Sequence, residues 1–165
     1  MLSFKFKKNR RLNSSKCILL VDDDPLSVET MKVSLEESGY EVCFVRNGLE
    51  AFEFLRHKLV DMVVLDFKMP VMNGFNASSH IRALKNENAC VPILAVTALE
   101  SSSKQRLYGR LNIDEEVEKP LDLNVFQKRV RNLFNQPREE LKRIREVKTK
   151  QVFEEIYNSE SVLFD

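Results

Sequence analysis

Four short apolar runs in this chain each end on a polar tip, and this recurrence limits the folds open to it. Cys17-Ile18-Leu19-Leu20-Val21 ends in Asp22-Asp23-Asp24, and Val63-Val64-Leu65 ends in Asp66. Pro92-Ile93-Leu94-Ala95-Val96 ends in Thr97-Ala98, and a weaker run near Ile113 to Val117 ends in Glu118-Lys119-Pro120. Such runs are too short for helices and rich in β-branched residues, so they read as buried strands. Tyr40 to Val45 forms a fifth. Helical spacing fills the intervals, and five strands alternating with five helices imply a parallel sheet wound on both faces. In sheets of this α/β class, ligands bind beyond the carboxyl ends of the strands. Parallel strands would bring the acids, the hydroxyl and the lysine to one edge.

Local signals divide the chain further. Asp24-Pro25 is a helix start, with Asp24 as N-cap and Pro25 at the first helical position. Val28, Met31 and Leu35 mark that helix's inner face, and Gly39 ends it. Asn47-Gly48-Leu49-Glu50 resembles a capping box, with Leu49, Phe52 and Leu55 continuing at helical spacing. Phe75, Ala77, Ile81 and Leu84 predict the next helix, followed by a loop over Glu87 to Val91. Ser101-Ser102-Ser103 introduces a short helix ending near Tyr108-Gly109. Asp122 caps a helix carrying Phe126, Val130 and Leu133. The fifth strand is expected at a sheet edge, because Asp114-Glu115-Glu116 puts charges where an apolar run belongs. The expected segments are a basic tail over 1–15, one α/β domain over 16–135, an amphipathic helix over 137–158 and a loose end over 159–165. Leu141, Ile144, Val147, Phe153 and Ile156 stripe the terminal helix, which suits packing on its own domain or a dimer through a second copy.

Composition excludes several classes. With 165 residues the chain can bury one core, and a net charge of +1 gives no push toward nucleic acid or anionic membrane. No run reaches the length of a membrane span, and the basic start lacks the apolar core of a secretory signal. A cytoplasmic protein is expected. Cys17, Cys43 and Cys90 are scattered, with no metal-ligand spacing, and read as buried small apolar residues in a reducing compartment. Residues 1–16 hold six Lys/Arg and no acid, which reads first as a solvated tail and second as an arm for RNA, lipid headgroups or an acidic partner.

The converging residues suggest phosphoryl chemistry. Asp22, Asp23 and Asp66 make an oxygen-rich pocket of the kind Mg²⁺ prefers, since it accepts a few carboxylates and keeps several waters. A metal there gathers a phosphoryl group against Asp66, whose free oxygen can act as nucleophile. Lys119 and the Thr97 hydroxyl are placed to neutralise the phosphoryl oxygens. Asp24 reads as a helix cap instead of a ligand. His57 and His80 lie in helical segments and read as surface or partly packed residues.

With these residues in order, the sequence resembles the receiver domain of bacterial two-component response regulators. Ile18-Leu19-Leu20-Val21-Asp22-Asp23-Asp24 is similar to that family's first strand and acidic pair. Val64-Leu65-Asp66-Phe67-Lys68-Met69-Pro70-Val71-Met72-Asn73-Gly74 is similar to its phosphoacceptor strand and loop. Val96-Thr97-Ala98 and Lys119-Pro120 supply the other two signatures, and the resemblance covers about Lys16 to Phe134. It implies a flavodoxin-like five-stranded sheet of order 2-1-3-4-5 with an extra C-terminal helix. It further implies that Asp66 accepts a phosphoryl group from the phosphohistidine of a sensor histidine kinase or a histidine phosphotransfer protein. Asp22 and Asp23 would hold Mg²⁺ together with Asp66 and the Lys68 backbone carbonyl, Lys119 would pair with the acyl phosphate, and Thr97 would turn toward it. The Lys119-Pro120 bond corresponds to one that is cis in the family.

One position departs from the pattern. Receivers usually carry Tyr or Phe three residues before the signature lysine, and here the residue is Glu116. An acid is a poor inward partner beside a site gaining negative charge, which puts the switch role of Thr97 and Glu116 in question and points to output through another surface, such as the C-terminal helix. The expected function is a phosphoacceptor regulator that acts by protein contact, with no DNA-binding module in view, no membrane role, and no catalysis beyond its own phosphotransfer and dephosphorylation. Rival readings are a receiver-shaped scaffold that works without phosphorylation and a Mg²⁺-dependent phosphohydrolase. The second needs an acid two residues after the nucleophile, where this chain has Lys68.

Overall fold

The computed structural model describes residues 15–98 and 111–161, with side chains through residue 154. Its strands are β1 (Cys17–Val21), β2 (Glu41–Val45), β3 (Met62–Asp66), β4 (Ile93–Ala98) and β5 (Glu115–Lys119). Its helices are α1 (Pro25–Glu37), α2 (Gly48–His57), α3 (Gly74–Arg82), α4 (Leu123–Asn135) and α5 (Arg138–Ser161). The strands form one parallel sheet in the order β2-β1-β3-β4-β5, the flavodoxin-like arrangement. The helix expected near residues 101–109, most of the basic tail and the last four residues lie outside the described residues.

Strand periodicity divides the core into two layers. Leu19, Val21, Val63, Leu65, Ile93 and Ala95 face Ala51 and Leu55 of α2 and Ala77 and Ile81 of α3. The alternate residues Ile18, Leu20, Met62, Val64, Leu94 and Val96 face Met31 and Leu35 of α1 and Phe126, Val130 and Leu133 of α4. Both faces are covered, which is why β1, β3 and β4 read as nearly unbroken apolar runs. β2 and β5 are the edges, and β5 carries its charges there as expected.

The caps follow the sequence. Asp24 accepts from the Ser27 amide at 3.0 Å and Asp122 accepts from the amides of Asn124 and Val125. Asn47 accepts from the Glu50 amide, while the Glu50 carboxylate turns back to the Arg46 amide, one residue earlier than in a regular capping box. Gly39 ends α1 with φ of +86°, where a side chain would be strained.

Several expectations need correction. Leu49 is exposed, and α2 buries Gly48, Ala51 and Leu55 instead, because Gly48 packs against the loop after β3. Helix α3 stops at Arg82, short of Leu84, and Glu87–Cys90 is a 3-10 turn within the expected loop. Cys90 is exposed, while Cys17 and Cys43 are half-buried and all three thiols are free. Burial pushes the Cys17 thiol up to about 12, with Cys43 adding to the effect, so it remains a protonated, unreactive thiol at neutral pH.

Helix α5 packs on its own domain, through a face that keeps Leu141 of the expected stripe but not Val147 or Phe153. Leu141, Arg145 and Val152 are buried, whereas Val147 and Phe153 are exposed. The anchor is Asp114, just before β5. Its carboxylate accepts from the Ile93 amide at 2.8 Å, from Arg82 at 3.0 Å and from Arg145, while Lys148 donates to its carbonyl at 3.0 Å. The charge that looked out of place in a strand is thus a buried anion held by two guanidiniums. Burial lowers Arg82 to about 10, against the pull of Asp114, and it stays cationic at neutral pH.

Val71 is β-branched and sits at φ +67° with 80% of its surface exposed. A left-handed conformation costs an L-residue about 1–2 kcal/mol, and asparagine tolerates it better. Val71→Asn is expected to stabilise the fold by about 1 kcal/mol, seen as a higher urea midpoint at unchanged slope. An unchanged or lower midpoint would show that this loop carries no conformational cost.

Candidate functional site

The carboxyl ends of β1, β3, β4 and β5 bring the expected residues together. β1 delivers Asp22 because Val21 pairs with Val45 and Leu65, and the Asp22 amide continues the ladder to the Val45 carbonyl. β3 ends on Asp66, and the Phe67 amide bonds the Val96 carbonyl, so the chain leaves the sheet immediately afterwards. Carboxylate oxygens of Asp22, Asp23 and Asp66 all lie within 4.8 Å of one another. The Lys119 ammonium stands 3.3 Å from Asp66 Oδ2 and 3.6 Å from Asp22 Oδ2. Thr97 is buried at the end of β4, two strand positions along from Ala95. The Lys119-Pro120 peptide bond is cis.

The pocket's bonding leaves particular atoms open. Asp22 Oδ1 accepts from the Asp24 amide at 2.9 Å, and Asp66 Oδ1 accepts from the Lys68 amide at 3.2 Å. Asp22 Oδ2 and Thr97 Oγ1 are buried without a hydrogen-bond partner among the described residues. Buried polar atoms are rarely left so, and these two call for a ligand. Three carboxylates against one ammonium leave two negative charges, which a hard divalent cation balances. The donor set is all oxygen, as Mg²⁺ requires, and Asp23 is exposed enough to admit water. The residues fit such an ion.

Burial holds the Asp66 carboxyl above its usual range and Asp22 adds to this, while the Lys68 amide and Lys119 pull it down. The folded protein therefore keeps this proton to higher pH than the unfolded chain does. Stability falls as pH rises from the ordinary carboxylate range through the raised value. In EDTA, Asp66→Asn is expected to be more stable than wild type by about 1 kcal/mol near neutral pH, with the gap closing in acid. Urea titrations across pH measure the gap, and a gap that widens in acid contradicts the assignment.

A family model described as the response regulator receiver domain matches residues 18–131. The chain belongs to that family. It is 32% identical over 121 residues to the transcriptional regulatory protein CrdR of Helicobacter pylori, covering 73% of this chain and 55% of that one. It is also 32% identical over 125 residues to the autoinducer 1 sensor kinase/phosphatase LuxN of Vibrio campbellii, covering 74% of this chain and 14% of LuxN. This receiver thus spans about half or less of these relatives' length, and the relatives themselves differ in what surrounds it. The receiver domain of the sensor histidine kinase PA1611 from Pseudomonas aeruginosa superimposes with a TM-score of 0.68 at 26% identity, covering 74% of this chain and all of that one. That structure has a magnesium ion coordinated in its active-site cleft. Phosphorylation on aspartate and Mg²⁺ are typical of the family, which operates in two-component signalling.

Two contacts that hold the fold together had no readable signal in their own neighbourhood. The Gly48 amide donates to the Met72 carbonyl at 3.2 Å, tying α2 to the loop after Asp66. The Asp114 cluster ties the amino end of β4 to α5, with partners 31 and 32 residues away in sequence. No helix among the described residues is long and apolar enough to cross a membrane.

Proposed function

We propose that this receiver accepts a phosphoryl group on Asp66 from a phosphohistidine of a sensor histidine kinase or a histidine phosphotransfer protein. The observation that carries the reading is the Lys119 ammonium lying between Asp66 and Asp22, beside three carboxylates clustered around one point. Asp22, Asp23, Asp66 and the Lys68 backbone carbonyl would hold Mg²⁺, which when bound supplies positive charge to the phosphoryl oxygens. Asp66 Oδ2 attacks phosphorus, the bond from phosphorus to the imidazole nitrogen breaks, and the imidazole leaves with the electron pair. Lys119 then exchanges its contact with the free carboxylate for one with the acyl phosphate. The Thr97 hydroxyl, buried and without a hydrogen-bond partner among the described residues, is available to donate to a phosphoryl oxygen.

In this reading the chain turns over no other substrate and works in the cytoplasm by protein contact. Phosphorylation biases a surface between two states, limited by the contacts that differ between them. Glu116, half-buried and aligned with Ala95 across β4 and β5, puts a charge where receivers carry an aromatic switch. Output is therefore assigned to the C-terminal helix, whose exposed Val147 and Phe153 can meet a partner or a second copy.

Incubation with acetyl phosphate and Mg²⁺ should add one phosphoryl mass to the intact protein, absent in Asp66→Asn and in EDTA. Labelling that persists in Asp66→Asn, or none under any donor, would overturn the assignment.

A further inference from the structure

A groove of about 460 Å³ runs between α1 and α4, on the sheet face that these two helices cover. Val33 and Leu123 give it an apolar lining, and both are exposed. Gln127 closes its floor, donating from the side-chain amide to the Ser34 hydroxyl at 3.0 Å and to the Ser34 carbonyl at 3.3 Å. Glu29 and Glu37 also line it, and no Lys or Arg among the described residues does. Lys128 and Arg131 follow on α4 but stand outside the lining. Neither Glu29 nor Glu37 makes an ion pair or side-chain hydrogen bond with another described residue.

The chain enters the described fold beside one end of this groove. The Lys16 carbonyl accepts from the Glu41 amide at 2.9 Å, and the Lys16 ammonium stands 5.9 Å from the centre of the Phe134 ring. Phe134 lies in the last turn of α4 and stacks at 5.1 Å on Tyr40, just past the end of α1. Residues 1–14, outside the described residues, therefore lead away from a point between the carboxyl ends of the two helices that flank the groove. They carry Lys5, Lys7, Lys8, Arg10 and Arg11 and no acid, with Leu2, Phe4 and Phe6 at alternate positions. From Glu37 to Glu29 the groove follows α1 for about 12 Å, which about four extended residues span.

We infer that the groove between α1 and α4 holds the basic amino-terminal segment of the same chain. Arg10 and Arg11 pair with Glu37 at the near end, Lys7 and Lys8 pair with Glu29 at the far end, and Phe6 lies against Leu123. Charge complementarity selects this occupant: two carboxylates without counter-ions meet a segment that has only cations. Each exposed pair is weak, but the tether makes docking intramolecular, so a few weak contacts suffice. The acidic partner that such an arm calls for is then its own domain, and the docked segment straps α1 to α4.

The test is limited trypsin digestion of the full chain at low and high ionic strength, with loss of the segment up to Arg11 followed by intact mass. The double variant Glu29→Gln, Glu37→Gln is expected to lose the segment about three- to tenfold faster than wild type at low salt. The ratio should fall toward one at high salt, where the charges are screened. A control with the same net charge, Glu139→Gln with Glu146→Gln on the exposed side of α5, should be cut at the wild-type rate. Equal urea midpoints for the three proteins separate undocking from loss of the fold. Equal cutting of wild type and the groove variant at low salt would overturn the inference, as would a control cut as fast as the groove variant. Protection that grows with protein concentration would also overturn it, since a second copy would then supply the segment.

Discussion

Asp114→Ala is expected to destabilise the receiver by about 3–5 kcal/mol, the loss seen when one member of a buried ionic cluster is removed. The Asp114 side chain is 1% exposed, and those of Arg82 and Arg145 are 13% and 11% exposed. Removing the carboxylate leaves two guanidiniums facing each other out of water, with nothing between them. It also strips the Ile93 amide of its acceptor at the start of β4. Arg82 keeps the carbonyls of Asn112, Ala89 and Val91, so the loop beside α3 stays partly held. Arg145 has no such reserve, and α5 should detach first. Hydrogen exchange is expected to show α5 amides opening well below the global unfolding free energy, while β1 and β3 stay protected. Arg145→Met should cost less, about 1–2 kcal/mol, because Arg82 still balances the carboxylate. A loss under 1 kcal/mol for Asp114→Ala would mean that the cluster holds nothing together.

Gly74→Ala should do comparable damage at the opposite end of the strands. A Cβ at residue 74 would stand 2.5 Å from the Asp66 carbonyl oxygen and 2.8 Å from Phe67 Cα, and it would also strike the Phe67 ring. The ring can turn aside, but the backbone of the acceptor strand cannot move without moving Asp66. Gly74 closes this turn through its amide, which donates to the Phe67 carbonyl at 3.3 Å, at the first residue of α3. The expected cost is about 3 kcal/mol, the upper part of the range for overpacked positions. Labelling of Asp66 by acetyl phosphate should slow about ten- to a hundredfold, since a displacement near 1 Å costs that much where reacting groups must align. Wild-type labelling in a folded Gly74→Ala protein would show that the acceptor loop is not held by this contact.

The chain's one-dimensional pattern determined the sheet, most of its caps and the place of its acidic tip. Strand β3 is legible because both its faces are buried, so every position from Met62 to Leu65 had to be apolar. Asp24, Asn47 and Asp122 are legible because a cap bonds amides two or three residues away. Asp66 and Lys119 are legible as strand-end residues, since parallel strands align their carboxyl ends whatever lies between them. What the pattern could not carry are relations between distant residues. The apolar stripe of α5 pointed to Leu141, Ile144, Val147, Phe153 and Ile156; Leu141 is buried and Ile144 half-buried, yet Val147 and Phe153 are exposed while Arg145 and Val152 turn inward. An arginine turns inward only when an anion waits for it, and Asp114 lies 31 residues earlier. Leu49 likewise lost its place to Gly48 because α2 had to approach the Met72 carbonyl closely. Periodicity records which side of an element avoids water, whereas charge pairing and close backbone approach depend on what the finished fold puts opposite.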